Sequence, residues 1–114
     1  MRPNIHVDDL SAVYRHILHG GAPEGIYNAG FENISILSMA EEIAAQTGAE
    51  IVISESNDPR SYRQSSKKLL GTGFNPGKGV FEAIQELVAA YNAGDLEDRD
   101  EWHTVKSMVT RGLV

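Results

Sequence analysis

Segments with the apolar spacing of helices dominate this 114-residue chain, and only a few short strand-prone runs separate them. Three segments place apolar side chains three and four residues apart, as one buried helix face requires, and a shorter helical segment covers residues 65–70. The strand-prone runs are residues 5–7, 25–30 and 50–54. Because a doubly wound sheet needs several βα units in series, we predict a small mixed α/β domain of three or four helices with a few short strands.

Residues with capping chemistry mark the ends of the predicted helices. Asp8–Asp9 offers carboxylates to the start of the first helix. The second begins at Ser35, or at Ser38 in a capping box with Glu41. A glycine follows each of the three longer helices, as is typical of a C-cap: Gly20, Gly48 and Gly94. Beyond them, residues 95–114 form a tail that is charged first and then apolar, which predicts a helical or frayed end.

Charge and the absence of cysteine narrow the classes of partner and compartment. The chain has 16 Asp+Glu against 10 Lys+Arg, a net charge of -6, so it lacks the clustered cations that bind a nucleic-acid backbone. With no cysteine it has neither disulfides nor cysteine-based zinc sites, and we expect a cytoplasmic protein. No apolar run approaches the ~18 residues that span a bilayer, so a membrane partner is not expected either.

The glycine-rich run of residues 71–79 fits neither common phosphate-loop pattern. Pro76 interrupts the dinucleotide fingerprint, and a helix rather than a strand precedes the run. A nucleoside-triphosphate loop would need glycine at position 72 and Ser or Thr at 79, where the chain has Thr72 and Gly79. We therefore interpret the run as a turn between two helices.

Histidines and paired carboxylates give no catalytic or metal site. His16 and His19 lie three residues apart, but zinc needs a third ligand and none has a suitable spacing, so both are expected to face solvent. His6 is expected to be a hydrogen-bonded histidine at the edge of the core. Asp8–Asp9 is explained by helix capping rather than by acid–base catalysis. Without a cysteine or a placed Ser/His/Asp set, we expect the chain to have no autonomous active site.

Three arginines and two aromatic residues carry the remaining binding chemistry. Arg2 precedes the first strand-prone run, and Arg60 and Arg63 belong to a proline-turned loop. Guanidinium groups at strand ends suit bidentate recognition of phosphate, whereas most arginines are simply solvated. Tyr62 and Phe74 are candidates to stack on a base or, alternatively, to pack in the core. The residues alone leave both interpretations open.

Ordered runs of residues resemble the C-terminal part of the extended short-chain dehydrogenases, which are NAD-dependent nucleotide-sugar epimerases and dehydratases. The resemblance extends from Arg2 to about Tyr91 and continues into a similar tail. The matching runs are Arg2-Pro3-Asn4-Ile5-His6-Val7-Asp8-Asp9-Leu10, Gly25-Ile26-Tyr27-Asn28-Ala29-Gly30, Asp58-Pro59-Arg60-Ser61-Tyr62-Arg63, Ser66-Lys67, Gly73-Phe74-Asn75-Pro76 and residues 99–106.

The resemblance implies that catalysis and substrate binding belong to two different domains. In that family a Rossmann domain binds NAD and carries the catalytic Tyr-x-x-x-Lys pair, and a smaller domain holds the nucleoside diphosphate. Only the smaller part is matched here, since none of the chain's tyrosines is followed four residues later by lysine. The chain is therefore expected to bind no NAD and to catalyse nothing alone. Arg2 and Arg60 match family arginines that contact the substrate diphosphate, with Arg63 as the alternative to Arg60.

These observations predict a nucleotide-sugar-binding domain over residues 1–94, followed by the tail of residues 95–114. Its expected ligand is a nucleotide-diphosphate sugar held by Arg2, Arg60, Tyr62 and Arg63, and its expected partner is a Rossmann NAD-binding domain. Dimers of the family are built largely from Rossmann-domain helices, so a monomer is expected. The alternative is a non-catalytic interaction module that kept the fold and lost the ligand.

Overall fold

A small two-stranded sheet and five α-helices make up the part of the chain that the computed structural model describes, residues 1–55 and 59–113. Strand β1 (Arg2–Asn4) pairs antiparallel with β2 (Glu32–Ile34), with Pro3 opposite Asn33. The helices, in chain order, are α1 (Val7–Leu18), α2 (Ile36–Thr47), α3 (Lys67–Leu70), α4 (Val80–Ala93) and α5 (Thr104–Thr110), and a 3-10 turn (Asp100–Trp102) precedes the last. The small mixed α/β fold is confirmed, with one helix more than predicted.

Helix ends follow the predicted chemistry at most positions. Ser35 caps α2 by accepting a hydrogen bond from the Ser38 amide at 2.9 Å, so the alternative start at Ser38 was wrong. Gly48 and Gly94 close α2 and α4 in the left-handed conformation, with φ of 74° and 77°, which glycine adopts without steric cost.

Helix α1 begins differently from the prediction. Its N-cap is His6, whose Nδ1 accepts the Asp8 amide hydrogen at 3.1 Å, and not the expected Asp8–Asp9 pair. Both aspartates lie in the first turn, where a carboxylate still interacts favourably with the helix dipole. Since the chain turns helical at Val7, the predicted strand over residues 5–7 does not form, and β1 ends before it.

The other two predicted strands are also absent. Residues 25–30 bond to the segment around α3 instead: Ser66 Oγ receives the Gly30 amide hydrogen at 2.9 Å and donates to the Gly30 carbonyl at 3.0 Å. The Lys68 ammonium donates to the Ile26 carbonyl. Residues 50–54 are exposed and pair with no strand in the described ranges. A strand needs a partner for its backbone, which a β-prone sequence alone does not supply.

The core lies between α1, α3 and the turn that follows α3. Val13, Leu69 and Phe74 are buried together, and Phe31 stacks on Phe74 with ring centroids 5.5 Å apart. His16 packs edge-on against Phe74, and its Nε2 lies 2.8 Å from Thr72 Oγ1. The expectation that His16 faces solvent was therefore wrong. A second contact joins α2 to α4 around the buried Ile84.

Candidate functional site

The loop over residues 59–64 is fastened to both strands of the sheet. The Tyr62 amide donates to the Met1 carbonyl at 3.2 Å beside β1. On β2, Asn33 Oδ1 accepts from the Gln64 amide at 2.8 Å, and its Nδ2 donates to the Gln64 carbonyl at 3.0 Å. These contacts join segments more than 30 residues apart, so the loop is held by the sheet rather than by its own sequence.

This attachment places Arg2 and Tyr62 side by side. The Arg2 guanidinium carbon lies 5.2 Å from the centre of the Tyr62 ring, a cation–π contact. Tyr62 is 55% exposed and Arg2 is half-buried, so the contact lies at the surface of the molecule. Arg60 and Arg63 lie in the same loop and are exposed. We call the predicted ligand-binding residues Arg2, Arg60, Tyr62 and Arg63 the arginine–tyrosine surface, and the contact observed within it joins Arg2 to Tyr62.

Phe74 and Asp58 are two further residues of the runs that resemble the dehydrogenases. Phe74 is buried in the core, which excludes it from base stacking and confirms its packing role. Asp58, which precedes Pro59 in the run resembling the dehydrogenases, lies outside the described residues.

Four side chains form an ion-pair network that the sequence analysis did not predict. They lie at the start of α1, in the turn before α4 and on α4. The Lys78 ammonium lies 2.7 Å from Asp8 Oδ2 and 2.5 Å from Glu86 Oε1. The buried His6 places Nε2 3.1 Å from Glu86 Oε2. Because His6 Nδ1 accepts an amide hydrogen, Nε2 carries the ring proton and donates it to Glu86. His6 is thus a buried, hydrogen-bonded histidine, as predicted.

Carboxylates hold the glycine-rich turn that follows α3. Asp9 is buried, and its two oxygens accept from the Gly77 amide at 2.8 Å and the Lys78 amide at 3.0 Å. Glu82 accepts from the Gly79 amide, and Glu32 from the Val80 amide, each at 2.8 Å. Amides that would bind a phosphate in a nucleotide loop are therefore bound to the chain's own acidic groups, which agrees with the lack of either phosphate-loop pattern in this run.

A metal ion is poorly suited to the same network. Oxygen and nitrogen atoms of His6, Asp8 and Glu86 lie within 4.8 Å of one another, a spacing that a cation can bridge. The Lys78 ammonium already contacts both carboxylates and supplies the positive charge there. The network is best described as an internal ion pair that fastens the turn to α1 and α4.

The network shifts the pKa values of its members in the directions expected for ion pairing. Hydrogen bonds from Lys78 hold the pKa values of the Asp8 and Glu86 carboxyls below their usual range, and the same contacts raise the pKa of Lys78. Hydrogen bonds from backbone amides, its own and that of Gly79, lower the pKa of Glu82. All three carboxyls are therefore charged at neutral pH.

We expect acid to weaken the fold through these groups. Their pKa values are lower in the folded than in the unfolded chain, so their contribution is complete above the unfolded values and is lost as pH falls through the folded ones. The melting temperature should stay level from pH 7 to about 5 and fall as the pH drops below the usual carboxyl pKa values of about 4.

Lys78→Met should lower the melting temperature at pH 7 and make that acid-induced fall shallower. Lys106→Met removes an exposed lysine of the tail and serves as the control, with no expected change in the profile. Circular dichroism melts across this pH range measure both, and parallel profiles for the wild type and Lys78→Met would contradict the assignment.

An apolar groove between α2 and α4 is a further feature that the sequence did not indicate. It encloses about 520 Å³ and is lined mainly by aliphatic and aromatic side chains: Ile43, Ile84, Leu87, Val88, Tyr91 and Leu96. The helical spacing of the residues on α2 and α4 indicates faces that pack in a core. The spacing does not show that part of these faces stays exposed.

Comparison with known proteins adds no relative to this picture. No family model matches the chain, and neither a curated protein nor a solved structure shows significant similarity. Across the described ranges, every helix is too short or too polar to cross a bilayer.

Proposed function

We propose that this chain is the substrate-binding portion of an NAD-dependent nucleotide-sugar epimerase or 4,6-dehydratase. Its role is to hold the nucleoside diphosphate, and it is not catalytic alone. The observation that carries the proposal is the contact of Arg2 with Tyr62, two residues 60 positions apart that the sheet and the loop hold side by side. Both belong to the runs that resemble this family.

The chemistry of the arginine–tyrosine surface suits a nucleoside diphosphate. A guanidinium fork donates two parallel hydrogen bonds to phosphate oxygens, and several arginines share the charge of a pyrophosphate. An exposed aromatic ring stacks on a base of any identity, because every base has a π face.

The catalytic part belongs to a Rossmann domain outside this chain. In that domain NAD would supply reversible hydride transfer at C4 of the sugar, the chemistry that epimerisation and dehydration share. The surface area of the chain supports a need for such a partner. Its accessible surface is 8740 Å², whereas a monomeric protein of 12.4 kDa exposes about 6,100 Å².

Helix α1 offers a face for that domain. Val7, Leu10, Tyr14 and Ile17 are exposed and follow one another at intervals of three and four residues, which aligns them in one stripe. Val13, three residues after Leu10 and four before Ile17, lies beside this stripe on the same side of the helix and packs in the core. The apolar side of α1 is thus wider than the part that the core covers, which leaves the stripe open to a second domain. The absence of cysteine agrees with a cytoplasmic location.

The test is a titration of the full chain with UDP, dTDP, GDP and CDP, followed through backbone amide NMR signals. We expect saturable shifts at Arg2, Tyr62 and their neighbours, with one base preferred. Arg60→Ala should weaken binding roughly 10- to 100-fold, the effect of losing a charged hydrogen-bonding group. Arg111→Ala removes an exposed arginine of the tail and is the matched control.

Equal affinities for Arg60→Ala and the control would contradict the proposed site. An absence of shifts at millimolar nucleotide would favour the second candidate, a non-catalytic interaction module. The exposed stripe on α1 supports that alternative, because a stripe of this kind docks equally well on a partner protein that has no NAD.

A further inference from the structure

The Asn33 side chain bonds to the backbone of Gln64 as a neighbouring strand would. Its Oδ1 accepts from the Gln64 amide at 2.8 Å and its Nδ2 donates to the Gln64 carbonyl at 3.0 Å, so one side-chain amide satisfies both backbone groups. Both bonds are partly buried, where water competes less well for the same groups. By comparison, the bond from the Tyr62 amide to the Met1 carbonyl on the β1 side is longer, at 3.2 Å.

The place of Asn33 on β2 directs its side chain toward the loop over residues 59–64. Successive side chains of a strand point to opposite faces, so Asn33 and Glu32 point to different sides of β2. The Glu32 carboxylate accepts from the Val80 amide at the start of α4. On the other side, Asn33 holds Gln64, and Tyr62 lies two residues before it in the loop. Fixing Gln64 therefore limits where the Tyr62 ring can lie.

The segment that follows the loop is held by a separate side chain. Ser66 Oγ accepts from the Gly30 amide at 2.9 Å and donates to the Gly30 carbonyl at 3.0 Å, and both bonds are buried. Leu69, three residues later, lies in the core. Removal of the Asn33 side chain should therefore release the loop while the chain from Ser66 onward keeps its place.

We propose that Asn33 is the positioning residue of the arginine–tyrosine surface, because by holding Gln64 it keeps Tyr62 beside Arg2 before a nucleotide binds. The inference rests on the proposed function, since it concerns the affinity of that same site. A ligand that meets a preformed surface loses no affinity to the ordering of loop residues. In this role Asn33 acts through the loop and not on the nucleotide.

Amide hydrogen exchange of the full chain, followed by NMR, tests the positioning without a nucleotide. In Asn33→Ala we expect roughly 10-fold faster exchange at Gln64 and Tyr62, while the amides of α1 and α4 stay protected. Asn33→Asp keeps the acceptor for the Gln64 amide and loses the donor for its carbonyl, so Gln64 should still exchange slowly. Asn28→Ala is the matched control. Asn28 makes a longer bond, 3.4 Å, to the carbonyl of the residue after Gln64, and its loss should leave both rates unchanged.

Titration with UDP, dTDP, GDP and CDP then measures the effect of Asn33 on the site. The Kd of the nucleotide that the wild type prefers should rise roughly 10-fold in Asn33→Ala, because the ligand then has to order the loop. The same Kd should stay near the wild-type value in Asn28→Ala.

The two measurements separate a failure of this inference from a failure of the proposed function. Unchanged exchange at Gln64 and Tyr62 in Asn33→Ala would overturn the positioning, whether or not nucleotides bind. Faster exchange with an unchanged Kd would overturn the role of Asn33 in binding. A wild type that binds none of the four nucleotides would contradict the proposed function, and the exchange rates would still confirm or overturn the positioning of Tyr62.

Discussion

Leu69→Ala should destabilise the fold more than any other single truncation, by roughly 2–5 kcal/mol. Leu69 is 0% exposed and lies between Val13 of α1 and Phe74 of the following turn. Removing its side chain leaves a cavity that touches both, and it loses the contacts that fix α3 to the rest of the molecule. For an ordinary domain stability of about 5–15 kcal/mol, this loss is a large fraction of the total.

Leu70→Ala is the matched comparison, because the same truncation is made one residue later. Leu70 is 41% exposed, and its replacement should cost at most about 1 kcal/mol. Urea denaturation followed by circular dichroism measures both, with the midpoint for Leu69→Ala well below that of the wild type. Equal midpoints for the two variants would place the core elsewhere.

The helices could be predicted because their signals are local. Ser35 before the apolar face of α2 and Gly48 after it are separated by one helix length, and each acts on backbone groups within a few residues. The same holds for Gly94 at the end of α4. Local rules fixed these bounds without information about tertiary structure.

The strands could not be predicted, because their partners are distant. Residues 50–54 have the strongest β-prone composition and nevertheless pair with no described strand. At residues 25–30 the hydroxyl of Ser66, 36 residues away from Gly30, takes the backbone bonds that a neighbouring strand would take. Composition describes how well a residue fits a sheet, whereas pairing depends on which backbone arrives beside it.

The candidate site also contains features that could be predicted from the sequence and features that could not. Arg2 and Tyr62 lie in contact, while the ligand that they were predicted to share stays a prediction. The network of His6, Asp8, Lys78 and Glu86 was missed, since Asp8 and Lys78 are 70 residues apart and each has an ordinary local explanation. The α2/α4 groove was missed because periodicity identifies an apolar face and does not show whether anything covers it.

Asp9→Ala should cost roughly 1–3 kcal/mol, the second-largest loss that we expect. Asp9 is buried and accepts two hydrogen bonds from the amides of Gly77 and Lys78, 68 and 69 residues away. Alanine leaves both amides without that acceptor, and it removes a negative charge from the first turn of α1. The turn between α3 and α4 should loosen, and its amide hydrogens should exchange with solvent faster.

Asp8→Ala separates this effect from a general loss of charge. Asp8 is exposed, and its carboxylate contacts the Lys78 ammonium and lies 3.9 Å from His6 Nδ1. The Gly77 and Lys78 amides donate to Asp9 instead, so removing the Asp8 carboxylate takes one acidic group from the same helical turn and leaves those hydrogen bonds in place. We expect Asp8→Ala to lower the midpoint of urea denaturation slightly, because exposed ion pairs contribute little. Hydrogen exchange at Gly77 and Lys78 should accelerate in Asp9→Ala and stay near the wild-type rate in Asp8→Ala. If the two variants behave alike, charge rather than the buried hydrogen bonds fastens the turn to α1.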